Sequence, residues 1–412
     1  MAEMFTVVTP EEALQRLFEK IEIQPSGMET VQLLDSLGRV LANDICSPIN
    51  LPSFPRATMD GYAVRASDTF GASEGAPVYL TVIGEVRMGE KPTVQPGQDL
   101  AVRIATGGML PSGCDAVVMV EHTQEISPAM IEVMRPVAPG DNVAQVGEDI
   151  REGEVILERG HRLRPWDIGA LAALGQLEVP VFARPRVAVI SSGNEVVPPH
   201  QSPDLGQVRD INSYSVSAAV IETGGQPLQL GIVPDRRDEL FRILSRAIQL
   251  ADMVLVSGGS SVGAMDLTYG AINDLGEPGV IVHGLAVKPG KPTVLAAAQG
   301  KPIVGLPGHP VSALVIFDLI VKPILWRLTG YRPRWPSSGS VLARIARRLA
   351  SAPGREDHVR VRLEKRNGEI WAVPILGKSG SISTLVRAVG EVVIPLDREG
   401  LEMGEEVEVR LP

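Results

Sequence analysis

A chain of 412 residues, 44% hydrophobic and 21% charged, has the balance of a soluble globular protein and the length for two to four domains. Its formal net charge of -10 argues against the basic face that nucleic-acid binding needs, while leaving room for a local lysine cluster that meets an anion. Cys46 and Cys114 form neither a disulfide framework nor a metal-ligand spacing, which points to a reduced cytoplasmic compartment and to small buried residues, not nucleophiles. The N-terminus has no charged-then-apolar signal pattern. The longest apolar run, Val311 to Leu325, contains Asp318 and Pro323, is too short to span a bilayer, and reads as a buried core helix, so no membrane partner is expected.

In chain order, Thr9, Pro10 and Glu12 predict an N-cap, a first-turn proline and a capping box, with Leu14, Leu17, Phe18 and Ile21 on one apolar face. A second helix is expected from about Thr30 to Leu37, ended by Gly38. From Asp44 to about Asp149, short apolar segments bounded by Gly and Pro (Val78–Ile83, Ala101–Ile104, Ala116–Val120, Met130–Val133) predict a small all-β unit. Trp166–Leu174 resembles a helix. From Arg186, strands at Val187–Ile190, Leu228–Val233, Met253–Val256, Thr293–Ala296 and Ile303–Val304 alternate with helices. The helices follow Asn212 (as cap), Asp266 and Pro310, with another over roughly Glu239–Leu250. That alternation predicts a mostly parallel, doubly wound sheet covered on both faces. Beyond a Pro- and Ser-rich break at 332–340, Val359–Leu363, Ile370–Pro374 and Val407–Leu411 predict a terminal β-domain.

Ligands of open α/β sheets bind beyond the carboxyl ends of the strands. Here three consecutive strands end in, or lead to, Glu195, Asp235 and Asp266, and the loops around Gly193 and around Ser257-Gly258-Gly259 are rich in Gly and Ser. Small residues let backbone N–H groups approach an anion, and acids beside such a site suit a hard cation such as Mg²⁺. Lys288-Pro289-Gly290-Lys291 holds two cations in a stiff turn, and Gly305–Pro310 is a second rigid turn opening a helix. Each feature alone has a plainer explanation. An Asp after a strand is commonly a cap, which competes for Asp235 and Asp266, and His309 stands where a cap belongs. Their joint placement on one sheet edge favours a phosphorylated ligand with a metal.

Several motifs now resemble one family. Pro52–Val64, with Met59-Asp60-Gly61-Tyr62-Ala63, is similar to the signature of the molybdopterin molybdenumtransferase family (MoeA and the gephyrin E-domain). Arg103–Gly108 with Leu110-Pro111 and Gly113–Ala116, the Gly147-Glu148-Asp149-Ile150 turn, and the SSGNEV, SGGSSVG, KPGKP and GLPGHPVSA segments follow in that family's order. The resemblance implies a multidomain α/β fold. Its parts are an elongated domain I (1–45 and 149–182), an inserted β-domain II (46–148), a doubly wound MogA-like α/β domain III (183–330) and a small β-barrel domain IV (331–412). It implies a homodimer whose cleft joins the α/β domain of one subunit to domains II and IV of the other. It also implies a Mg²⁺-dependent transferase that inserts molybdate into adenylylated molybdopterin and releases AMP, and that could work with the molybdopterin adenylyltransferase as a partner.

By the same resemblance Asp60, Asp149, Glu195, Asp235 and Asp266 are catalytic, with Glu195, Asp235 and Asp266 as metal ligands. Thr106, Gly107, Ser257, Gly258, Gly259, Lys288, Lys291, Pro307 and Ser381, in the Ser379-Gly380-Ser381 loop, bind substrate. His309 replaces a usual Asn, Ser260 a usual Val, and Gly284 stands where some members carry a basic residue. Two rivals remain: a molybdopterin adenylyltransferase, which would not need residues 1–180 or the terminal barrel, and a non-catalytic binding or scaffold paralogue. Molybdate and tungstate, alike in size and charge, are not separated at this level.

Overall fold

The computed structural model describes residues 7–258, 262–333 and 339–411, without the side chains of 262–266. The chain divides into two compact units. One comprises Met1–Asn43, Arg159–Ile168 and Leu177–Pro412; the other comprises Asp44–Glu158 and Gly169–Gln176.

The larger unit contains the α/β sheet. Its six strands lie in the order Gln226–Val233, Arg186–Ser192, Met253–Ser257, Lys301–Leu306, Val294–Ala298, Pro278–His283. The first four are parallel, Val294–Ala298 runs antiparallel to them, and Pro278–His283, antiparallel to Val294–Ala298, returns to their direction. Side chains alternate across a strand, so Val187 and Val189 face one core with Leu17, Val216, Val220 and Phe317. Ala188 and Ile190 face the other with Leu240, Leu244, Ile248 and Ile272. Each such fully buried aliphatic contributes about 1.5–3 kcal/mol, and burial on both faces explains why these strands are nearly unbroken apolar runs.

The same unit holds the terminal barrel. Glu356–Arg366 pairs with Glu369–Pro374, which pairs with Ser340–Ile345, then Glu406–Arg410, then Gly390–Ile394, which returns to Glu356–Arg366. Val361, Ala372, Ile345, Val392 and Val409 fill its interior. The multidomain α/β fold with a closed small barrel is therefore present as expected.

The second unit is built on a six-stranded sheet, in the order Ala116–Met119, Gly61–Val64, Leu100–Ile104, Val78–Val86, Met130–Val133, Thr123–Ser127. Its core includes Tyr62, Val64, Leu80, Val118 and Ile131. No helix among the described residues is long and apolar enough to cross a membrane.

Several local expectations fail for identifiable reasons. The helix expected over Thr30–Leu37 is a strand, Met28–Gln32, followed by a 3₁₀ turn, Leu33–Ser36. The strand pairs antiparallel with Glu178–Phe182, a partner far along the chain that overrides local spacing. Thr9 caps Pro10–Lys20 by accepting the Glu12 N–H at 3.2 Å, but the Glu12 carboxylate turns to Arg16 at 2.5 Å, so the capping box is half made. The helix near Asp266 begins at Val262, which places Asp266 inside it and not before it. The apolar run after Pro310 is helical throughout, with a π turn at Phe317–Val321. Cys46 is exposed rather than buried. Cys114 is half-buried, and burial with Asp115 and Asp68 nearby pushes its thiol up to about 12, which leaves it inert.

Candidate functional site

The carboxyl edge of the α/β sheet is assembled in depth. Ser191, Ser192 and Ser257 end their strands and are buried. The Ser191 hydroxyl donates to Asp210 Oδ1 at 2.8 Å and lies 2.9 Å from the Ser213 hydroxyl and 3.4 Å from that of Ser257. Asp210 Oδ1 also accepts the Ser213 N–H at 3.0 Å, so Asp210 caps the Asn212–Glu222 helix. Asn212, expected as the cap, instead donates through Nδ2 to the Gly308 carbonyl at 2.9 Å. Its Oδ1 is buried with no hydrogen-bond partner, an acceptor that a ligand N–H or O–H would satisfy.

Above this layer two glycines bring the loops into contact. Gly193 and Gly258 both have φ of 151°. A Cβ on Gly258 would sit 2.3 Å from the Ser192 carbonyl oxygen, so no other residue fits there. The Glu195 carboxylate folds back over Gly193, where an added Cβ would meet Oε2 at 2.9 Å. Asp235 accepts a short hydrogen bond from the Ser192 hydroxyl, and its N–H donates to Asn194 Oδ1 at 3.3 Å. It does not cap the following helix, whose N-cap residue Arg236 makes no side-chain capping bond and instead donates to Asp238 at 2.8 Å. Glu195 and Asp235 thus share one edge with Ser192 and Gly258. Gly259, Ser260 and the Asp266 side chain lie outside the described residues. Among the described residues no group of three or more His, Cys, Asp or Glu is arranged to hold a metal ion.

The second rigid turn adds to the same edge. Pro307 is buried, and Asn212 holds the Gly308 carbonyl. The helix that begins at Pro310 receives its N-terminal partner from the barrel: the Val311 N–H donates to the Ser379 carbonyl at 3.2 Å. His309 occupies the N-cap position but makes no capping bond; its ring lies against Gly380 instead, with Cδ2 3.4 Å from where a Cβ would stand. Ser381, whose N–H donates to the Lys378 carbonyl, is thereby held beside this helix start by its own chain.

Lys288 belongs to the barrel's sheet, since Val287–Lys288 runs parallel to Glu356–Arg366. Its ammonium is 3.2 Å from Asp357, which also accepts from Arg355 at 2.9 Å. Lys291 is exposed, and its carbonyl accepts the Leu285 and Thr293 N–H groups. Gly284 has φ of 104°, a conformation in which a Lys or Arg would be strained.

Sequence reasoning missed Arg360. It is 8% exposed, and its buried Nε and Nη1 have no hydrogen-bond partner. Burial disfavours its charge and Glu391 favours it. A buried guanidinium with unmet donors is prepared for an anion. Strand alternation gives the face on which Arg360 stands, but no local signal says that this face is covered. Asp210 was missed likewise, for want of a motif.

The second unit brings two expected residues together. Asp60 Oδ1 accepts both the backbone N–H of Thr106 at 2.7 Å and its hydroxyl at 2.8 Å. These bonds, the backbone one first, hold the exposed carboxyl below the usual carboxylate range. Gly61 admits no side chain, because a Cβ would stand 1.9 Å from the Val118 carbonyl oxygen. Gly107, at φ of 85°, donates to the Ala57 carbonyl at 2.7 Å and closes the turn after Thr106. Asp149 is exposed in a turn pinned by its N–H to the Leu51 carbonyl at 3.0 Å.

Comparison with known proteins agrees with this layout. Residues 8–175 match the MoeA N-terminal region (domain I and II), 188–327 a probable molybdopterin binding domain, and 343–411 the MoeA C-terminal region (domain IV). A molybdopterin molybdenumtransferase of Bacillus subtilis (strain 168) is 35% identical, over 100% of this chain and 95% of its own. One from Haemophilus influenzae is 33% identical over 98% of each. Among solved structures, a molybdopterin biosynthesis MoeA protein from Pyrococcus horikoshii OT3 superposes with a TM-score of 0.86 at 33% identity, covering 99% of this chain and 100% of the other.

Proposed function

This chain belongs to the MoeA family, transferases of molybdenum cofactor biosynthesis, and from that premise we propose that it inserts molybdate into adenylylated molybdopterin, with release of AMP. One observation carries the reading: Glu195 and Asp235 stand on a single sheet edge where Gly193 and Gly258 leave no room for a Cβ. Backbone N–H groups so exposed can meet a phosphate, and two carboxylates beside them are the hard oxygen donors that Mg²⁺ takes. Glu195, Asp235 and Asp266 would hold that ion; when bound it would polarise the substrate's pyrophosphate.

The chain's own residues do the rest. Ser192 fixes the orientation of Asp235. Asn212 Oδ1 offers an acceptor to a ring N–H or a hydroxyl of the pterin or the nucleotide. Lys288, Lys291, Arg360 and Ser381 offer cations and a hydroxyl to the oxyanion and the phosphates, where positioning and charge neutralisation lower the barrier.

The reading includes the four-part division into domains I to IV and a homodimer in which the Asp60–Thr106 corner and Asp149 of one subunit serve the α/β edge of the other. The length devoted to the inserted β-unit and the barrel disfavours an adenylyltransferase, and retention of every acid disfavours a scaffold. The test is single-turnover assay with purified adenylylated molybdopterin, Mg²⁺ and either molybdate or tungstate. Cofactor and AMP should appear together, and Glu195→Gln should abolish both while circular dichroism is unchanged. ATP consumption with plain molybdopterin would instead identify an adenylyltransferase, and no turnover of either substrate would leave the scaffold reading. Mixing Asp60→Ala with Asp266→Ala subunits should restore part of the activity; no recovery in a demonstrated heterodimer sinks the shared site.

A further inference from the structure

At the far end of the Asn212–Glu222 helix, about 16 Å along its axis from Asn212 at 1.5 Å per residue, lies a cavity of about 120 Å³. Its lining includes Arg39, Arg162 and Arg184, with Thr223 and Tyr331, and contains no Asp or Glu. In a chain of net charge -10, three guanidiniums converging on one hollow is a departure that needs a reason. Structural bonds explain part of it. Arg39 is 10% exposed; its Nη2 donates to the Phe182 carbonyl at 2.8 Å and meets the Glu29 carboxylate. Arg162 donates through Nε to the Gly38 carbonyl at 3.2 Å and through Nη2 to the Glu222 carbonyl at 3.3 Å. Each guanidinium has five N–H donors in a planar fork, so each keeps several to offer. Arg184 is exposed beside them.

We propose that this cavity binds a small tetrahedral oxyanion. The size excludes a nucleotide or pterin, whose pockets run to about 300–1,000 Å³. The chemistry excludes a cation and a neutral apolar ligand, because the lining charges are all positive. Guanidinium forks match the spacing of oxygens on phosphate, sulfate or molybdate. One feature opposes binding: the helix ends here with its negative pole. Arg162 already occupies the Glu222 carbonyl, however, and three positive charges outweigh that pole together with Glu29. The site stands apart from the sheet edge and does not depend on the transferase reading.

Equilibrium dialysis of the full chain against phosphate, sulfate, molybdate and tungstate, each alone, tests it. The expected result is a saturable site, in addition to any oxyanion binding at the sheet edge, that survives Lys288→Ala and weakens about ten-fold or more in Arg184→Ala, the loss of one charge-assisted contact. Arg162→Lys, which keeps the charge but not the fork, should weaken it as well, with circular dichroism checking the fold. Tighter binding of molybdate and tungstate would assign the site to the metal oxyanion. Tighter binding of phosphate and sulfate would assign it to phosphoryl or sulfate anions. No saturable binding by any of the four, or affinities unchanged in both arginine variants, would overturn the proposal.

Discussion

The serine-lined edge of the α/β sheet and the Asp60 corner of the β-unit both present carboxylates, but they hold them differently. At the edge, Asp235 rests on Ser192, and beneath it Ser191, Asp210, Ser213 and Ser257 form a buried layer in which Asp210 takes two donors. At the corner, Asp60 is exposed and its fixed oxygen has one neighbour, Thr106. Buried polar groups cost stability when a partner is removed, whereas exposed ones find water. The edge therefore binds its chemistry to the fold, while the corner keeps chemistry and fold separable.

The largest expected effect comes from the loop contact. Gly258→Ala drives a Cβ into the Ser192 carbonyl and should cost about 3 kcal/mol or more, at the upper end of overpacking penalties. Gly107→Ala at the corner meets only the end of the Met88 side chain, at 3.3 Å, and should cost about 1–2 kcal/mol for its positive φ. Urea midpoints of the two variants give the ratio, and equal losses would break the contrast.

The barrel extends the rule to a buried charge. Burial pulls the His358 pKa down, but Glu356 at 3.7 Å and Glu391 at 3.2 Å more than offset it and raise it to about 9. A folded value above the unfolded one of about 6.5 gives stability that is complete below pH 6.5 and lost as pH rises through 9. The fall should be at most about 3 kcal/mol, and His358→Gln should flatten it. A wild-type stability curve already flat from pH 6 to 9.5 would show that the histidine is neutral.

Asp210→Ala leaves the Ser213 N–H buried without its acceptor, at about 1–3 kcal/mol, while the Ser191 hydroxyl keeps the Ser213 hydroxyl as a partner. Its thermal midpoint should fall, and activity should fall with it as the edge loosens. Thr106→Val is the smallest change in stability and the sharpest test of separability. The midpoint should match the parent's, while the Asp60 pKa, read by NMR, rises part of the way toward the ordinary carboxylate range, because the hydroxyl bond is lost while the larger contribution, the backbone N–H bond, remains. The depressed value favours the folded state above the unfolded pKa and fades as pH falls, an effect that exposure keeps small. A marked loss of stability would place the corner in the same class as the edge.

The α/β layer was legible because its signals are local. Unbroken apolar runs such as Met253–Val256 are buried on both faces, Gly-rich turns mark strand ends, and the carboxyl ends of parallel strands locate ligands. Glu195 and Asp235 follow from such signals, whereas Asp60 and Thr106 were named separately by resemblance and only the structure pairs them. What only the tertiary structure decided depends on contacts between distant segments. Thr30 and Val31 became strand because residues 178–182 lie beside them. Asn212 gave up the cap to Asp210 because its amide reaches Gly308, 96 residues on. His309 lost its capping role because the barrel's Ser379 supplies the partner for the helix start. Arg360 became an unmet donor because the face it stands on is covered, and three arginines from separate segments met in one cavity. Hydrophobic period and turn chemistry are properties of a few neighbouring residues; which polar group meets which is settled only when the chain is closed upon itself.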